Sequence, residues 1–303
     1  MSDRLHVRPP QESFSPTLEI TEGCTHGKCR FCSLYTGADF KPVDMVRIEE
    51  GIKSIASKAT ALTRRIYLTG GNPFALPVNR LTEIFDRIER RIPTIRNYGG
   101  FCSVTDIKRK TDDELALLAS RGVNDITIGA ESGHNPTLEF MAKGHTAEDI
   151  MEQGQRLHEA GIDFTFFYLA GLAGAGKGQE NALASAKAFS AAGPGRILVV
   201  TLTPTRDWRL RENILNGTWV PSEEVEVARE IQTFAANLTC KTRFNASHDS
   251  NIIRFEGVLP NDQGKMVELL DHQIPKMNPV AARRLRELLH KAPFYPVEEA
   301  TKD

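Results

Sequence analysis

The sequence predicts an α/β protein, a (β/α)6 partial barrel of the TIM type with a C-terminal mixed α/β extension. Short strand-like runs alternate with amphipathic helical patterns of about ten to fifteen residues, the order typical of βα units in parallel sheets. Each predicted strand is also followed directly by a polar or glycine-rich segment. Such segments are expected where loops meet at the carboxyl ends of parallel barrel strands.

Six segments are predicted as strands, with helices between them. The strands are residues 17–21, 65–69, 98–105, 125–131, 163–170 and 196–202. Apolar residues at helical spacing predict a helix over residues 78–91. Thr111 and Glu114 form a capping-box pattern that starts the next helix, which should end at Gly122. A further helix is expected from Thr146 to Gly161. Six consecutive strand–helix units imply parallel strands with right-handed crossovers.

Alternation along the third and fourth strands indicates a cavity inside the barrel. On the fourth strand Thr127, Gly129 and Glu131 share the face expected to line the interior. On the third strand Ser103 shares the inner face, whereas Cys102 faces the helices as a buried core thiol. A filled barrel core would carry bulky branched side chains at these inner positions. Small and polar residues there leave room for a ligand.

The regular alternation ends near residue 205, which predicts two regions. Residues 1–205 form the barrel, and residues 206–303 form an extension that covers it. Within the extension we expect Ser222 to cap one helix and the last helix to follow Asn278 and Pro279.

Composition and charge exclude several classes of protein. The formal net charge is −1, so no global basic field recruits nucleic acid. No apolar run reaches the roughly eighteen residues of a membrane span, and the N-terminus lacks a signal-peptide pattern. Three clustered and two isolated cysteines do not form a disulfide framework. We therefore expect a cytoplasmic protein that binds metal.

Cys24, Cys29 and Cys32 follow the first predicted strand and lie within nine residues. Three thiolates on one loop can hold three irons of a [4Fe–4S] cluster and leave the fourth iron open for chemistry. Structural zinc is the alternative, with His26 as the fourth ligand. No other cysteine lies near the loop in the sequence.

The ordered motifs resemble the radical S-adenosylmethionine (SAM) superfamily over about residues 17–205, with a core similar to oxygen-independent coproporphyrinogen oxidase. The resemblance implies that the three cysteines bind a [4Fe–4S] cluster whose open iron holds SAM. It also implies that an electron from the cluster cleaves SAM and produces a radical that acts on a substrate. By the same resemblance, the residues that contact SAM are Phe31, Gly70, Gly71, Asn72, Ser103, Glu131, Lys143 and Leu169.

Two of these positions have an alternative interpretation. Glu131 could be a structural ion-pair partner, and Lys143 could be an ordinary surface lysine. One feature departs from the family pattern. Four residues separate Cys24 from Cys29, where the family usually has three. The wider loop can change how SAM lies at the open iron, so either C–S bond of SAM can be the one that breaks.

Three functions follow from this sequence. The first is a radical SAM enzyme that acts on a small-molecule substrate and takes its electron from a flavodoxin or ferredoxin. The second is SAM cleavage that gives methylthioadenosine and an aminocarboxypropyl group for transfer. The third is a non-enzymatic iron–sulfur or zinc protein. Candidate catalytic residues are Tyr35, beside the cysteine loop, and His248 and Asn251 in the extension.

Overall fold

The structure is a computed structural model that describes residues 8–35, 37–203 and 209–289. Its strands are β1 Thr17–Glu19, β2 Thr21–Glu22, β3 Lys41–Pro42, β4 Arg65–Thr69, β5 Asn97–Cys102, β6 Ile126–Glu131, β7 Phe164–Ala170, β8 Arg196–Thr201, β9 Thr242–Asn245 and β10 Glu256–Leu259. Its α-helices are α1 Met45–Ala56, α2 Val78–Arg91, α3 Val104–Lys108, α4 Asp112–Ser120, α5 Asn135–Phe140, α6 Ala147–Ala160, α7 Gly178–Ala192, α8 Arg211–Leu215, α9 Glu224–Asn237, α10 Gln263–Gln273 and α11 Pro279–Leu289. Within these ranges no helix is both long enough and apolar enough to cross a membrane.

The chain divides into two compact units, each made of several segments. The first unit contains Met1–Gly27, Tyr35–Ala130 and Asp149–Phe166. The second contains Lys28–Leu34, Glu131–Glu148 and Phe167–Asp303. The division passes through the cysteine loop, so Cys24 belongs to the first unit and Cys29 and Cys32 belong to the second.

Parallel strands form the sheet of the first unit, in the order β1-β4-β5-β6. Leu68 of β4 lies opposite Leu18 of β1 and Gly100 of β5, and Cys102 of β5 lies opposite Ile128 of β6. Helices α1 and α2 each bury one apolar face. The ring of Phe85 on α2 stacks on Tyr98 of β5, with 4.0 Å between ring centroids. The predicted parallel α/β arrangement is therefore confirmed in this unit.

In the second unit the strands follow the order β7-β8-β9-β10. Strand β9 is parallel to β8 and antiparallel to β10. Helices α7 and α9 bury an aromatic core, in which Phe234 stacks on Tyr168 at 3.9 Å between centroids and meets Phe189 edge-on. Strands β9 and β10 belong to the extension and were not predicted. Each of these strands has only four residues and is partly exposed, so polar side chains stand among the apolar ones.

Most predicted elements are confirmed, since β4 and α2 have the predicted bounds and Thr111 and Glu114 form a complete capping box. Two predictions were wrong. The strand predicted over 98–105 ends at Cys102, because Ser103 caps helix α3 instead of continuing the strand. Ser222 does not cap α9, because Glu223 occupies that position.

Candidate functional site

The cysteine loop and the glycine-rich segment after β4 meet through close backbone contact in the first unit. Gly70 has φ +115°, and a Cβ atom there would lie 2.0 Å from the carbonyl oxygen of Thr21. A Cβ atom on Gly71 would lie 1.5 Å from the carbonyl oxygen of Gly23. Only glycine fits at these two positions. They bring the glycine-rich segment against the residues that lead into Cys24.

The carboxylate of Asp106 lies beside this segment and is 1% exposed. One of its oxygens, Oδ2, accepts hydrogen bonds from Asn72 Nδ2 at 2.6 Å and from Ser103 Oγ at 2.6 Å. The same oxygen accepts from the backbone N–H of Ser103 at 2.9 Å. The other oxygen, Oδ1, accepts a longer bond of 3.4 Å from Thr25, the residue after Cys24. The first unit therefore joins Asn72, Ser103 and the cysteine loop through one carboxylate.

Tyr35 also contacts the glycine-rich segment. Its phenolic O–H donates to the carbonyl oxygen of Gly70 at 2.8 Å, and its side chain is partly buried. This predicted catalytic candidate therefore lies next to the predicted SAM-contacting segment in the first unit.

Two of the cysteines pack against an apolar cluster in the second unit, here called the Phe31 cluster. Its buried members are Phe31, Met141, Leu169, Leu172, Leu202, Leu210, Ile214 and Trp219, and the side chains of Cys29 and Cys32 pack against it. Backbone bonds hold the cysteine loop in place, because Arg30 N–H donates to Met141 O at 3.0 Å and Arg30 O accepts from Leu210 N–H at 3.1 Å. The structure therefore brings together two predicted SAM contacts, Phe31 and Leu169, with two predicted metal ligands.

A Schellman motif at the end of α5 positions Lys143. The N–H of Lys143 donates to Leu138 O, and the N–H of Ala142 donates to Glu139 O, both at 2.9 Å. Ala142 occupies the left-handed region, with φ +52°. This turn fixes the backbone of Lys143 immediately after a six-residue helix.

Lys143 and Glu131 form an ion pair with 3.3 Å between Nζ and Oε1, and their side chains are 11% and 15% exposed. The ammonium also lies 5.5 Å from the centroid of the Phe31 ring. Burial lowers the pKa of Lys143, but the charges of Glu131 and Cys29 outweigh it, so this pKa is raised overall. Burial raises the pKa of the Cys29 thiol, and Lys143 opposes that rise. Lys143 is therefore a partly buried cation beside two cysteines.

Glu131 has an unusual backbone for a glutamate, with φ +68°. A non-glycine residue in this region costs about 1–3 kcal/mol, and such strain often occurs at functional sites. The strained residue is the partner of Lys143, which adds a second reason to assign it to the site.

The two candidates from the extension lie together after β9. The amide of Asn251, 1% exposed, accepts from Thr201 Oγ1 at 2.7 Å and donates to Val199 O and Ala246 O. His248 is partly buried, and its Nδ1 lies 2.8 Å from Ser250 Oγ. Burial lowers the pKa of His248. Asn251 thus bonds to the carboxyl-terminal end of β8, and His248 bonds to the serine beside it.

Two buried carboxylates were not among the predicted site residues. Ser103 lies three residues before Asp106, and this Ser-x-x-Asp pattern is the sequence signal of a capping box. Glu230 on α9 accepts from Tyr168 Oη at 2.7 Å, Asn181 Nδ2 at 2.8 Å and Gly171 N at 3.0 Å. No local pattern in the sequence marks Glu230, because its partners lie 49 to 62 residues away.

The thiols have the chemistry that an iron–sulfur cluster requires. All five cysteines are free, and Cys24, Cys29 and Cys32 are each partly exposed. Thiolates are the ligands that hold such clusters. Across the described residues no three His, Cys, Asp or Glu side chains are grouped closely enough to hold a metal ion together. Cys24, Cys29 and Cys32 each supply this type of donor.

Comparison with known proteins identifies the family. The sequence model of the radical SAM superfamily matches residues 18–174, about half of the chain. Heme chaperone HemW from Lactococcus lactis subsp. lactis (strain IL1403) is 26% identical over 146 residues, which cover 46% of this chain and 36% of HemW. Oxygen-independent coproporphyrinogen-III oxidase-like protein HemZ from Bacillus subtilis (strain 168) is 25% identical over 123 residues, which cover 40% of this chain and 23% of HemZ. The chain thus spans about a third or less of these two relatives.

The fold is also similar to a solved structure. The radical S-adenosylmethionine methyltransferase TsrM from Kitasatospora setae, solved with cobalamin and a [4Fe-4S] cluster bound, matches with a TM-score of 0.54 and 16% sequence identity. The match covers 67% of this chain and 39% of TsrM. The predicted partial barrel fold and the resemblance to coproporphyrinogen oxidase-like proteins are thereby confirmed. The non-enzymatic alternative is set aside, because the chain belongs to the radical SAM superfamily and is an enzyme of that superfamily.

Proposed function

We propose that Cys24, Cys29 and Cys32 hold a [4Fe–4S] cluster and that the enzyme cleaves SAM reductively to act on a small-molecule substrate. The observation that carries this proposal is the family match over a segment that contains Cys24, Cys29 and Cys32, each with a free thiol. The cluster, when bound, would supply the electron for cleavage of a C–S bond of SAM. The [4Fe-4S] cluster of the structural neighbour TsrM supports the same choice of cofactor.

Lys143, Glu131, Phe31 and Leu169 would also contact SAM. The ammonium of Lys143 is a partly buried cation that can pair with the carboxylate of SAM. Glu131, its partner, can accept hydrogen bonds from the amino group or the ribose of SAM. Phe31 and Leu169 present apolar surface suited to the adenine ring. A small-molecule substrate agrees with a net charge of only −1.

Gly70, Gly71 and Asn72 would contact the amino group of SAM. Gly70 and Gly71 have no side chains, so this segment can lie against the backbone that leads into Cys24. Asn72 and Ser103 supply polar groups next to this segment. Tyr35, His248 and Asn251 are proposed on the substrate side.

The proposal includes the surroundings of the enzyme. An electron donor of the flavodoxin or ferredoxin type would reduce the cluster, and residues 206–303 would cover the barrel formed by residues 1–205. Five free cysteines agree with a reducing compartment, and we propose the cytoplasm.

Cleavage of the other C–S bond is a second candidate reaction. It is favoured by the four residues between Cys24 and Cys29 and by Gly27 in that loop, with φ +56°. A wider turn would alter the approach of SAM to the open iron. The expected products are then methylthioadenosine and an aminocarboxypropyl group.

The adenosine product tests both reactions. The protein is purified and reconstituted without oxygen, its iron and sulfide are quantified, and SAM and dithionite are added. Mass spectrometry then identifies the product. 5′-Deoxyadenosine supports the first reaction, and methylthioadenosine supports the second. A protein that carries its iron but forms neither product, and whose EPR spectrum does not respond to SAM, contradicts the proposed function.

A further inference from the structure

We propose that Asp106 is a positioning residue for SAM, because it fixes the amide of Asn72 so that the oxygen of this amide is the atom left for the ligand. The inference rests on the proposed function, in which Asn72 contacts the amino group of SAM. It assigns a role to a residue that would not itself touch SAM.

The contact with Asp106 fixes the orientation of the Asn72 amide. An ionised carboxylate accepts hydrogen bonds and donates none. At 2.6 Å from Asp106 Oδ2, the Asn72 atom must therefore be the nitrogen. A flipped amide would place two acceptor oxygens at that distance and lose the bond to a charged group. Such a charge-assisted bond is stronger than one between neutral groups. Asp106 consequently decides which end of the amide faces away.

The orientation of the amide leaves Asn72 Oδ1 as the atom that can bind a ligand. Asn72 is 6% exposed, and within the described ranges no residue donates a hydrogen bond to its Oδ1. An amide oxygen is a good acceptor for an ammonium group. The fixed amide therefore presents one unused acceptor in the segment after β4, next to the cysteine loop.

Neutral groups donate the other hydrogen bonds to Asp106. Ser103 uses its hydroxyl proton on Asp106, and its oxygen accepts from the N–H of Asp106 at 3.2 Å. Thr25, next to Cys24, reaches the other carboxylate oxygen. None of the Lys, Arg or His side chains in the described part of the chain forms an ion pair with Asp106. Its charge is therefore stabilised by neutral donors, which bind the three segments into one support.

The test is a double-mutant cycle on SAM affinity, measured by anaerobic calorimetry on reconstituted proteins with equal iron content. We expect Asn72→Ala and Asp106→Ala each to raise the Kd about tenfold, which equals about 1.4 kcal/mol. In the double variant the Kd should rise no further than in Asn72→Ala alone, because Asp106 acts through Asn72. If Asp106 had only a structural role, the losses of SAM affinity caused by the two substitutions would add in the double variant.

A conservative variant and a control complete the cycle. Asp106→Asn keeps a carbonyl oxygen at the position of Oδ2, so its Kd should stay within about threefold of wild type. Asp113→Ala changes an exposed aspartate of helix α4 and should leave the Kd unchanged. The variants should follow the same order in the SAM concentration that is needed to change the EPR spectrum.

Two results would overturn the proposal for Asp106 alone. One is an Asn72→Ala variant whose Kd for SAM equals that of the wild type. This result does not depend on how well Asp106→Ala folds. The other is an additive double variant. A wild-type protein that carries its iron but binds no SAM would overturn the proposed function, and this inference with it.

Discussion

The candidate residues of the two units are held in place by different forces. In the first unit, polar groups and close backbone approaches position the site, with Asp106 at the centre of hydrogen bonds to Asn72 and Ser103. In the second unit, the Phe31 cluster and the ion pair between Glu131 and Lys143 do so. Hydrogen bonds fix atoms and directions, whereas apolar packing fixes volume. The first unit should therefore be sensitive to the type of atom and the second to the size of the side chain.

The largest effect is expected at a proposed ligand of the cluster. Cys29→Ala should abolish the binding of the cluster and with it SAM cleavage, because a [4Fe–4S] cluster with an open iron needs all three thiolates. Iron and sulfide analysis and EPR spectroscopy measure the loss. Cys240→Ala is the matched control, since this free cysteine lies outside the loop, and it should keep its iron. Full iron content in Cys29→Ala would contradict the assignment.

A change of size should matter most in the second unit. Phe31→Ala should lower the free energy of unfolding by about 3 kcal/mol, because it leaves a cavity among buried side chains. Phe31→Leu keeps most of the volume and should cost less than about 1.5 kcal/mol. Urea denaturation of the metal-free protein compares the two variants. Equal losses in both would break the contrast between the units.

A change at Glu230 tests whether the second unit is also sensitive to the type of atom at one position. Burial raises its pKa from 4.5 to about 7, although Tyr168, Asn181 and Gly171 donate to it. Its contribution to stability is therefore present below about pH 4.5 and is lost as the pH rises through about 7.

This loss should reach about 3 kcal/mol between pH 4.5 and pH 8. Glu230→Gln cannot titrate, so the difference in free energy of unfolding between wild type and variant should change with pH in that range. Chemical denaturation at several pH values measures this difference. A difference that stays constant with pH would show that Glu230 keeps an ordinary pKa.

The smallest effect is expected at the turn before Lys143. Ala142 has φ +52°, where an alanine costs about 1 kcal/mol more than a glycine. Ala142→Gly should therefore raise the free energy of unfolding by about 0.5–1 kcal/mol, after allowing for the larger entropy of the unfolded chain. Thermal unfolding measures the change. A lower unfolding temperature would mean that the methyl group of Ala142 packs usefully.

Local sequence determined the elements and the chemistry they carry. The bounds of β4 and α2, the capping box at Thr111 and the three cysteines of one loop all follow from residues a few positions apart. Periodicity and capping act within about four residues, so one segment contains the whole signal. The same short range explains one error, because the Ser-x-x-Asp pattern at Ser103 competes with strand alternation in 98–105 and the cap prevails.

Only the tertiary structure decided which polar groups meet. Asp106 bonds to Asn72, 34 residues away, and reaches Thr25, 81 residues away. Glu230 lies 62 residues from Tyr168, and strand β9 pairs with β8, where Arg243 lies opposite Arg196. Such contacts depend on how the whole chain packs. A buried carboxylate must find its donors wherever the fold brings them, and no local pattern specifies that position.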